Sequence, residues 1–378
     1  MGNEKELRFL FVLPTATLGG AERVIFNFAL FLLEVGHHVT VYVMSRGKKP
    51  GWEFFENSPN CEIIFNKSGS EKRSIFSSVI AISRLSKKHN YNYVFSSHVH
   101  VNAMLSLLLK ASILRCTHLI SRESTFIFER FFGVKRLIFF LLYRFFYGAQ
   151  SLLICQTEGM KASLICNLGF RPAKKIAVID NPVNITYIAE RVRTSDAPKV
   201  SCDIVNFVAC GRLVPIKGFD VLIMAYAKSL RVVHNTHLYI IGDGVERDRL
   251  ELLVAELGLS DHITMLGRLD NPMPWFSVAD VGVISSEREG FPNVLIEMMA
   301  SGIKNIVATP CSDGIALIPN INVTQDNSIE ALAESISNAA ACFEDNSAAY
   351  YRYVMSYRGV EGFWSNIQAN ILNIESER

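Results

Sequence analysis

Residues 281–297 read Val281-Gly-Val-Ile-Ser-Ser286-Glu287-Arg-Glu289-Gly290-Phe291-Pro292-Asn293-Val294-Leu-Ile-Glu297. The short apolar run Val281–Ile284, closed by a polar turn, reads as a buried parallel strand. Pro292 then stands where helices often begin, because its missing N–H costs nothing in the first turn. Glu289 falls in the loop at the strand's carboxyl end, where open α/β sheets bind their ligands. Glu297, one turn inside the helix, is expected to face the same crevice. The first N–H groups of that helix, at Asn293 and Val294, would point at whatever anion the crevice holds. An ordinary strand-to-helix connection with two solvated carboxylates is the competing reading, and the rest of the carboxyl-terminal half argues against it.

Upstream, the strand-like Ile204-Val-Asn-Phe-Val-Ala-Cys210 runs into Gly211-Arg212-Leu213-Val-Pro-Ile-Lys217-Gly218. One Arg and one Lys therefore leave a strand end together, a pairing suited to an oxygen-rich anion whose charge grows as a bond breaks. Two further apolar strands close on glycine: His237–Ile241 before Gly242-Asp-Gly244, and Ile263–Leu266 before Gly267-Arg268. Glycines at those ends let the backbone approach a flat ring or the next helix closely.

The amino-terminal half has the same alternation. Leu7–Pro14 reads as a first strand rather than a cleavable leader, since it is short and lacks a cleavage pattern. It enters the turn Thr17-Leu-Gly19-Gly20-Ala21-Glu22-Arg23, whose paired glycines open a helix near Ala21–Val35. No Gly-x-Gly-x-x-Gly dinucleotide fingerprint occurs there. Strands near His38–Met44, Tyr93–Ser97 and Leu152–Gln156 follow. His98 and His100 end one strand, Arg122 and Glu123 the next, and Asn181-Pro182-Val183 closes Lys175–Asp180.

These motifs, in this order, resemble the retaining glycosyltransferases of family 4, which carry a Glu, seven residues, then Glu. The resemblance covers nearly the whole chain and is strongest from Gly211 to Thr309. It implies the GT-B fold, with two Rossmann-like doubly wound α/β domains facing across a cleft. The expected division is 1–190 for the acceptor, 191–355 for the nucleotide sugar, and 356–378 as a helix crossing back to the first domain. It implies Arg212 and Lys217 on the donor diphosphate, Glu289 and His98 at the donor sugar, and Glu297 on the ribose. Gly19, Gly20, Gly211, Gly242, Gly267, Arg268, Gly290, Phe291, Asn293 and Val294 complete the donor site. Glu22 and Arg122 lie on the acceptor side. Two departures stand out: Gly302-Ile-Lys-Asn-Ile-Val307 where the family often has Gly-x-Pro-Val-Val, and Ile315 and Ala316 where many relatives place a Glu after Asp313-Gly314.

Length and composition agree. With 378 residues, 49% hydrophobic and 20% charged, the chain suits two α/β domains and not disorder. Eight cysteines without a Cys-x-x-Cys pair imply neither zinc nor a disulfide framework, and fit a reducing cytoplasm. The net charge of +2 conceals about +10 over residues 1–190 and about −8 over 191–378. A basic first domain suggests an anionic partner, and no nucleic-acid motif is present. Phe126–Tyr147 interleaves aromatic and aliphatic residues with Arg130, Lys135, Arg136 and Arg144, as an interfacial helix would; a buried helix with basic tips is the alternative. Lys72, Arg73, Arg84, Lys87 and Lys88 could extend that basic face.

The expected activity is thus retaining transfer of a sugar from a nucleoside diphosphate donor, such as UDP-hexose or UDP-N-acetylhexosamine. The expected acceptor is a polyprenyl-diphosphate-linked saccharide in surface polysaccharide assembly, on the cytoplasmic face of an anionic membrane. No metal or other cofactor is expected. A sugar-nucleotide epimerase of similar architecture, or a catalytically silent membrane scaffold, are the alternatives.

Overall fold

The structure, a computed structural model, describes residues 6–45, 52, 55, 58–66, 71–168, 175–193 and 198–377, without the side chains of residues 71–74. Lys72 and Arg73 of the anticipated basic face therefore lie outside the described side chains. The chain forms two compact units: Met1–Asn184 with Val360–Arg378, and Ile185–Gly359. The first division thus falls six residues before the 190/191 boundary expected from sequence, because the helix Ile185–Val192 packs within the second unit.

In the first unit, among the described residues, seven parallel strands run β1 Arg8–Thr15, β2 His38–Ser45, β3 Cys61–Phe65, β4 Tyr91–Ser96, β5 Cys116–Arg122, β6 Leu152–Cys155 and β7 Ile176–Val178. Their order across the sheet is β3-β2-β1-β4-β5-β6-β7. Phe9 to Leu13 of β1 and Val41 to Val43 of β2 are at most 1% exposed, as expected of strands covered on both faces. The order reverses direction between β1 and β4. That switch point holds the turn after β1, with Gly19 and Gly20, and the end of β4, with His98.

The final helix, Val360–Ser376, belongs to this first unit. Trp364 meets the rings of Tyr93 at 5.0 Å, Phe9 at 5.5 Å and Phe28 at 5.6 Å, while Phe363 meets Phe28 at 5.3 Å. A single aromatic cluster thus joins the last helix of the chain to its first strand. Aromatic pairs of this kind add to the gain from apolar burial.

Among the described residues of the second unit there are six parallel strands: β8 Val205–Cys210, β9 Thr236–Ile241, β10 Ile263–Gly267, β11 Val281–Ile284, β12 Asn305–Ala308 and β13 Asn322–Val323. Their order is β10-β9-β8-β11-β12-β13, so the switch point lies between β8 and β11. On one face, Leu222 and Tyr226 of helix Phe219–Ser229 share a core with Leu332 and Ile336 of helix Ile329–Ala341. On β11, a Cβ at Gly282 would lie 2.7 Å from the sulfur of Met298, so the following helix Asn293–Ser301 packs close to the strand. The sequence motifs of this half, Gly211–Gly218 and Glu287–Pro292, are the two loops that leave the switch point.

Trp364→Ala should lower the stability of the first unit by about 3 kcal/mol or more through the cavity it leaves. Urea unfolding followed by circular dichroism should show an early transition moving to lower denaturant while the second unit's transition stays in place. An unchanged first transition would show that the carboxyl-terminal helix is dispensable to that core.

Candidate active site

In the second unit the two switch-point loops are bound to each other through their backbones. Glu287 N–H donates to the Ile216 carbonyl at 2.9 Å, and the Ser285 hydroxyl donates to the Lys217 carbonyl at the same distance. Gly218 adopts φ +62°, and a Cβ there would lie 2.2 Å from the Ser285 carbonyl oxygen. Both the backbone shape and the space therefore demand glycine. Locked in this way, the loops bring Lys217 Nζ to 2.6 Å from Glu289 Oε1.

The same Oε1 accepts from the Ser286 hydroxyl at 2.6 Å, and the Glu289 amide donates to the Cys311 carbonyl at 2.7 Å. Thr309, at the end of β12, donates through its hydroxyl to the Ser286 carbonyl at 2.6 Å. Glu289 is thereby fixed on both its backbone and its side chain. Burial, with the nearby Glu289 charge, pushes the Cys311 thiol up to about 12. That thiol stays protonated and serves as packing.

The β8 loop is held on its other side by glycine. At Gly242, with φ +154°, a Cβ would lie 1.9 Å from the Gly211 carbonyl oxygen, and Gly242 N–H donates to the Gly267 carbonyl at 2.8 Å. Three of the glycines singled out from sequence, Gly211, Gly242 and Gly267, thus form one continuous backbone ledge at the ends of β8, β9 and β10. Arg212 and Arg268 stand exposed on it. Gly290 is buried, with its carbonyl accepting from the Ser312 hydroxyl at 2.9 Å. Asn293 and Val294 are half-buried at the helix start, and Glu297 is 6% exposed.

In the first unit, His98 Nε2 lies 3.2 Å from Glu22 Oε1, joining the ends of β4 and the first helix. Burial alone would raise the Glu22 carboxyl. The hydrogen bond and charge of His98, with the amides of Glu22 and Gly19, hold it below the ordinary range. A Cβ at Gly19 would lie 2.8 Å from Glu22 Oε2, so this glycine makes room for the carboxylate. Arg122 is 1% exposed and donates through Nη2 to Asn181 Oδ1, which places it inside the unit rather than on its surface. Its Nε and Nη1 have no partner among the described residues. Burial draws its pKa down to about 10, against the pull of Glu123 and Glu22, and it stays charged at neutral pH.

Reading by motif did not find several of these contacts. Arg358, 3% exposed, lies with its guanidinium carbon 4.5 Å from the centre of the Phe291 ring and donates to the Tyr353 hydroxyl at 3.1 Å. It braces the Glu-Gly-Phe-Pro turn from a helix end far along the chain, and no local pattern marks it. Ser286, which holds Glu289 through its hydroxyl, belongs to no motif that assigns it a role. Its position three residues before Glu289, at a strand end, was the available signal.

The switch point of a doubly wound sheet is where open α/β proteins bind their ligands, and comparison with known proteins gives the class of protein. The family model described as glycosyl transferases group 1 matches residues 204–351, and that of glycosyltransferase family 4 matches residues 18–187. Between them they cover the second sheet and the first sheet from β2 onward, and the chain is a glycosyltransferase of the GT-B fold whose first unit matches the family 4 model. It is 28% identical over 299 residues to the lipopolysaccharide core biosynthesis glycosyltransferase LpsD of Rhizobium meliloti, covering 77% of this chain and 76% of that protein. It is 25% identical over 306 residues to the Campylobacter jejuni N-acetylgalactosamine-N,N'-diacetylbacillosaminyl-diphospho-undecaprenol 4-alpha-N-acetylgalactosaminyltransferase, with 78% of each covered. Two further curated relatives align over only 42% and 48% of their own length. Among solved structures, HepE of Anabaena in complex with UDP-glucose matches with TM-score 0.77 at 18% identity, over 97% of this chain and 100% of that one.

Gly218→Ala should part the two loops without removing any functional side chain. Backbone strain and the contact with Ser285 together cost on the order of 1–3 kcal/mol. Sugar transfer should fall at least tenfold, with the loss in turnover exceeding that in donor affinity. Wild-type turnover in a folded Gly218→Ala protein would show that the Lys217–Glu289 geometry does not depend on this approach.

Proposed function

We propose that the protein transfers a hexose or N-acetylhexosamine from a UDP-sugar to a lipid-linked saccharide, with retention of anomeric configuration. The observation that carries this reading is the Lys217–Glu289 pair fixed on the switch point of the second unit. HepE supports the nucleotide, since its solved complex holds UDP-glucose. The Campylobacter relative supports the acceptor, since its name specifies an undecaprenyl diphosphate-linked sugar.

In the proposed reaction Lys217 and Arg212 face the diphosphate, where negative charge grows as the bond from C1 to oxygen breaks. Stabilising that charge lowers the barrier rather than merely tightening binding. The helix amides at Asn293 and Val294 add positive potential from the start of Asn293–Ser301, so charge balance needs no metal. Glu289 holds the donor sugar with its anomeric carbon in place, and Glu297 holds the ribose. The acceptor oxygen bonds to C1 on the face the diphosphate leaves, and its proton passes to the departing phosphate oxygen. Gly19 and Gly20 approach the donor, His98 with its Glu22 partner contacts the donor sugar, and Glu22 reaches the acceptor. Arg122 positions these through the end of β5.

Two measurements on purified enzyme, with a panel of sugar nucleotides and a polyprenyl-diphosphate sugar, test the reading. Lys217→Ala should lower turnover by a factor on the order of 100 or more, roughly 3 kcal/mol of barrier. Because Lys217 and Glu289 touch, the double alanine variant should lose less than the product of the single losses. Near-normal turnover for Lys217→Ala would defeat the diphosphate assignment, and interconversion of the donor without transfer would point to an epimerase.

The two carboxylates should separate kinetically. Glu297→Ala is expected chiefly to raise the donor KM, whereas Glu289→Ala is expected chiefly to lower kcat. Matching profiles for the two variants would remove the distinction between ribose and reacting-sugar contacts.

A further inference from the structure

The helix Gly133–Leu141 in the first unit has no buried residue. Its apolar side chains Val134, Leu137, Ile138 and Leu141 recur at i, i+3, i+4 and i+7, which aligns them in one stripe. A surface helix of a globular domain turns such a stripe inward. This one turns it outward: the four are 74%, 55%, 52% and 40% exposed, and Phe132 and Phe145, at 72% and 65%, extend the stripe at both ends. The alternative drawn from sequence, a buried helix with basic tips, does not describe this helix.

The outward stripe is held in place by what lies beneath it. The rings of Phe131 and Phe139 stack at 4.8 Å, and Phe139 and Phe140 pack on the core below. Just beyond the helix, Tyr143 and Tyr147 are buried and donate to the Glu123 carboxylate at 2.7 and 3.0 Å. Burial keeps both phenols protonated, so both remain donors. The segment therefore packs through one face and presents six large apolar side chains on the other.

Arg130, Lys135, Arg136 and Arg144 are exposed on the same segment, with Arg130 5.4 Å from the Phe131 ring and Arg136 donating to Asn167 Oδ1 at 2.6 Å, and Glu129 is the one acidic residue between positions 126 and 147. Contiguous exposed apolar surface with a cationic border marks a docking face. We propose that this stripe binds the first unit to bilayers carrying anionic head groups, with Phe132, Val134, Leu137, Ile138, Leu141 and Phe145 at the acyl boundary and the four cations at the phosphates. A second copy of the chain is a poorer fit, because pairing stripe to stripe would set four cations against four. Among the described residues no helix is long and apolar enough to cross a membrane. The proposal rests on exposure and charge and does not depend on the transfer chemistry.

The test is co-sedimentation of the full chain with phosphatidylglycerol-containing vesicles and with pure phosphatidylcholine vesicles. The parent should bind the anionic vesicles at low salt and release as salt shortens the Debye length. Val134→Ser/Leu137→Ser/Ile138→Ser, and separately Lys135→Glu/Arg136→Glu, should each lower partitioning by about tenfold or more, with unchanged circular dichroism. Transfer to a short water-soluble acceptor should be unaffected in both, which separates loss of docking from loss of activity. Absence of binding by the parent, binding by either variant equal to the parent's, or a parent dimer that the triple variant dissociates would each overturn the proposal.

Discussion

The close approach of Gly218 to the Ser285 carbonyl is the constraint on which the rest of the second unit's site depends. Two strands that meet at a switch point give two loops, but parallel strands alone do not fix those loops against each other. Fixing comes from backbone contacts that only glycine permits, reinforced by the Glu287 amide and the Ser285 hydroxyl. Once the loops are locked, Lys217 and Glu289 need little further ordering to meet. The entropy of holding two long side chains together, which makes many surface ion pairs worth little, has been met in advance by the scaffold. Both partners are well covered, with side-chain exposures of 22% and 14%, so their mutual attraction is less screened than at an open surface.

The same logic explains what sequence could and could not disclose. Strand-end glycines, the Arg-x4-Lys run and the paired glutamates are local, and each carries a physical requirement readable within a few residues. Most strands of both sheets follow from apolar runs, the two-residue Asn322–Val323 being too short for one, and their doubly wound arrangement from alternation with helices. Cys61–Phe65 lacks that signal, since at the sheet edge it is only partly buried and Glu62 interrupts its apolar run. Arg358 under Phe291 was invisible for a different reason. Its role is set by a helix end meeting a turn across the fold, and nothing near position 358 states it. Arg122 shows a third kind of shortfall: position at a strand end indicated a polar neighbourhood, but whether the side chain faces outward or inward depends on Asn181, which arrives much later in the chain.

The buried polar layer around Arg122 also links the first unit's two surfaces. Arg122 and Glu123 are adjacent at the end of β5, and their side chains go to different partners: Arg122 to Asn181, Glu123 to Tyr143 and Tyr147. Gln156 donates to the Glu123 carbonyl at 3.0 Å and accepts from Asn181 at 2.9 Å, closing a ring of contacts across β5, β6 and the turn after β7. Burial raises the Glu123 carboxyl, while the two phenols, Asn102 and Arg122 oppose the shift. The layer is satisfied at Glu123 and only in part at the guanidinium, since Arg122 Nε and Nη1 have no partner among the described residues. Its consequence is mechanical. The aromatic segment that carries the exposed stripe is tied through Glu123 to the strand end that carries Arg122. A load placed on that stripe is therefore borne by the sheet itself rather than by a loose surface helix.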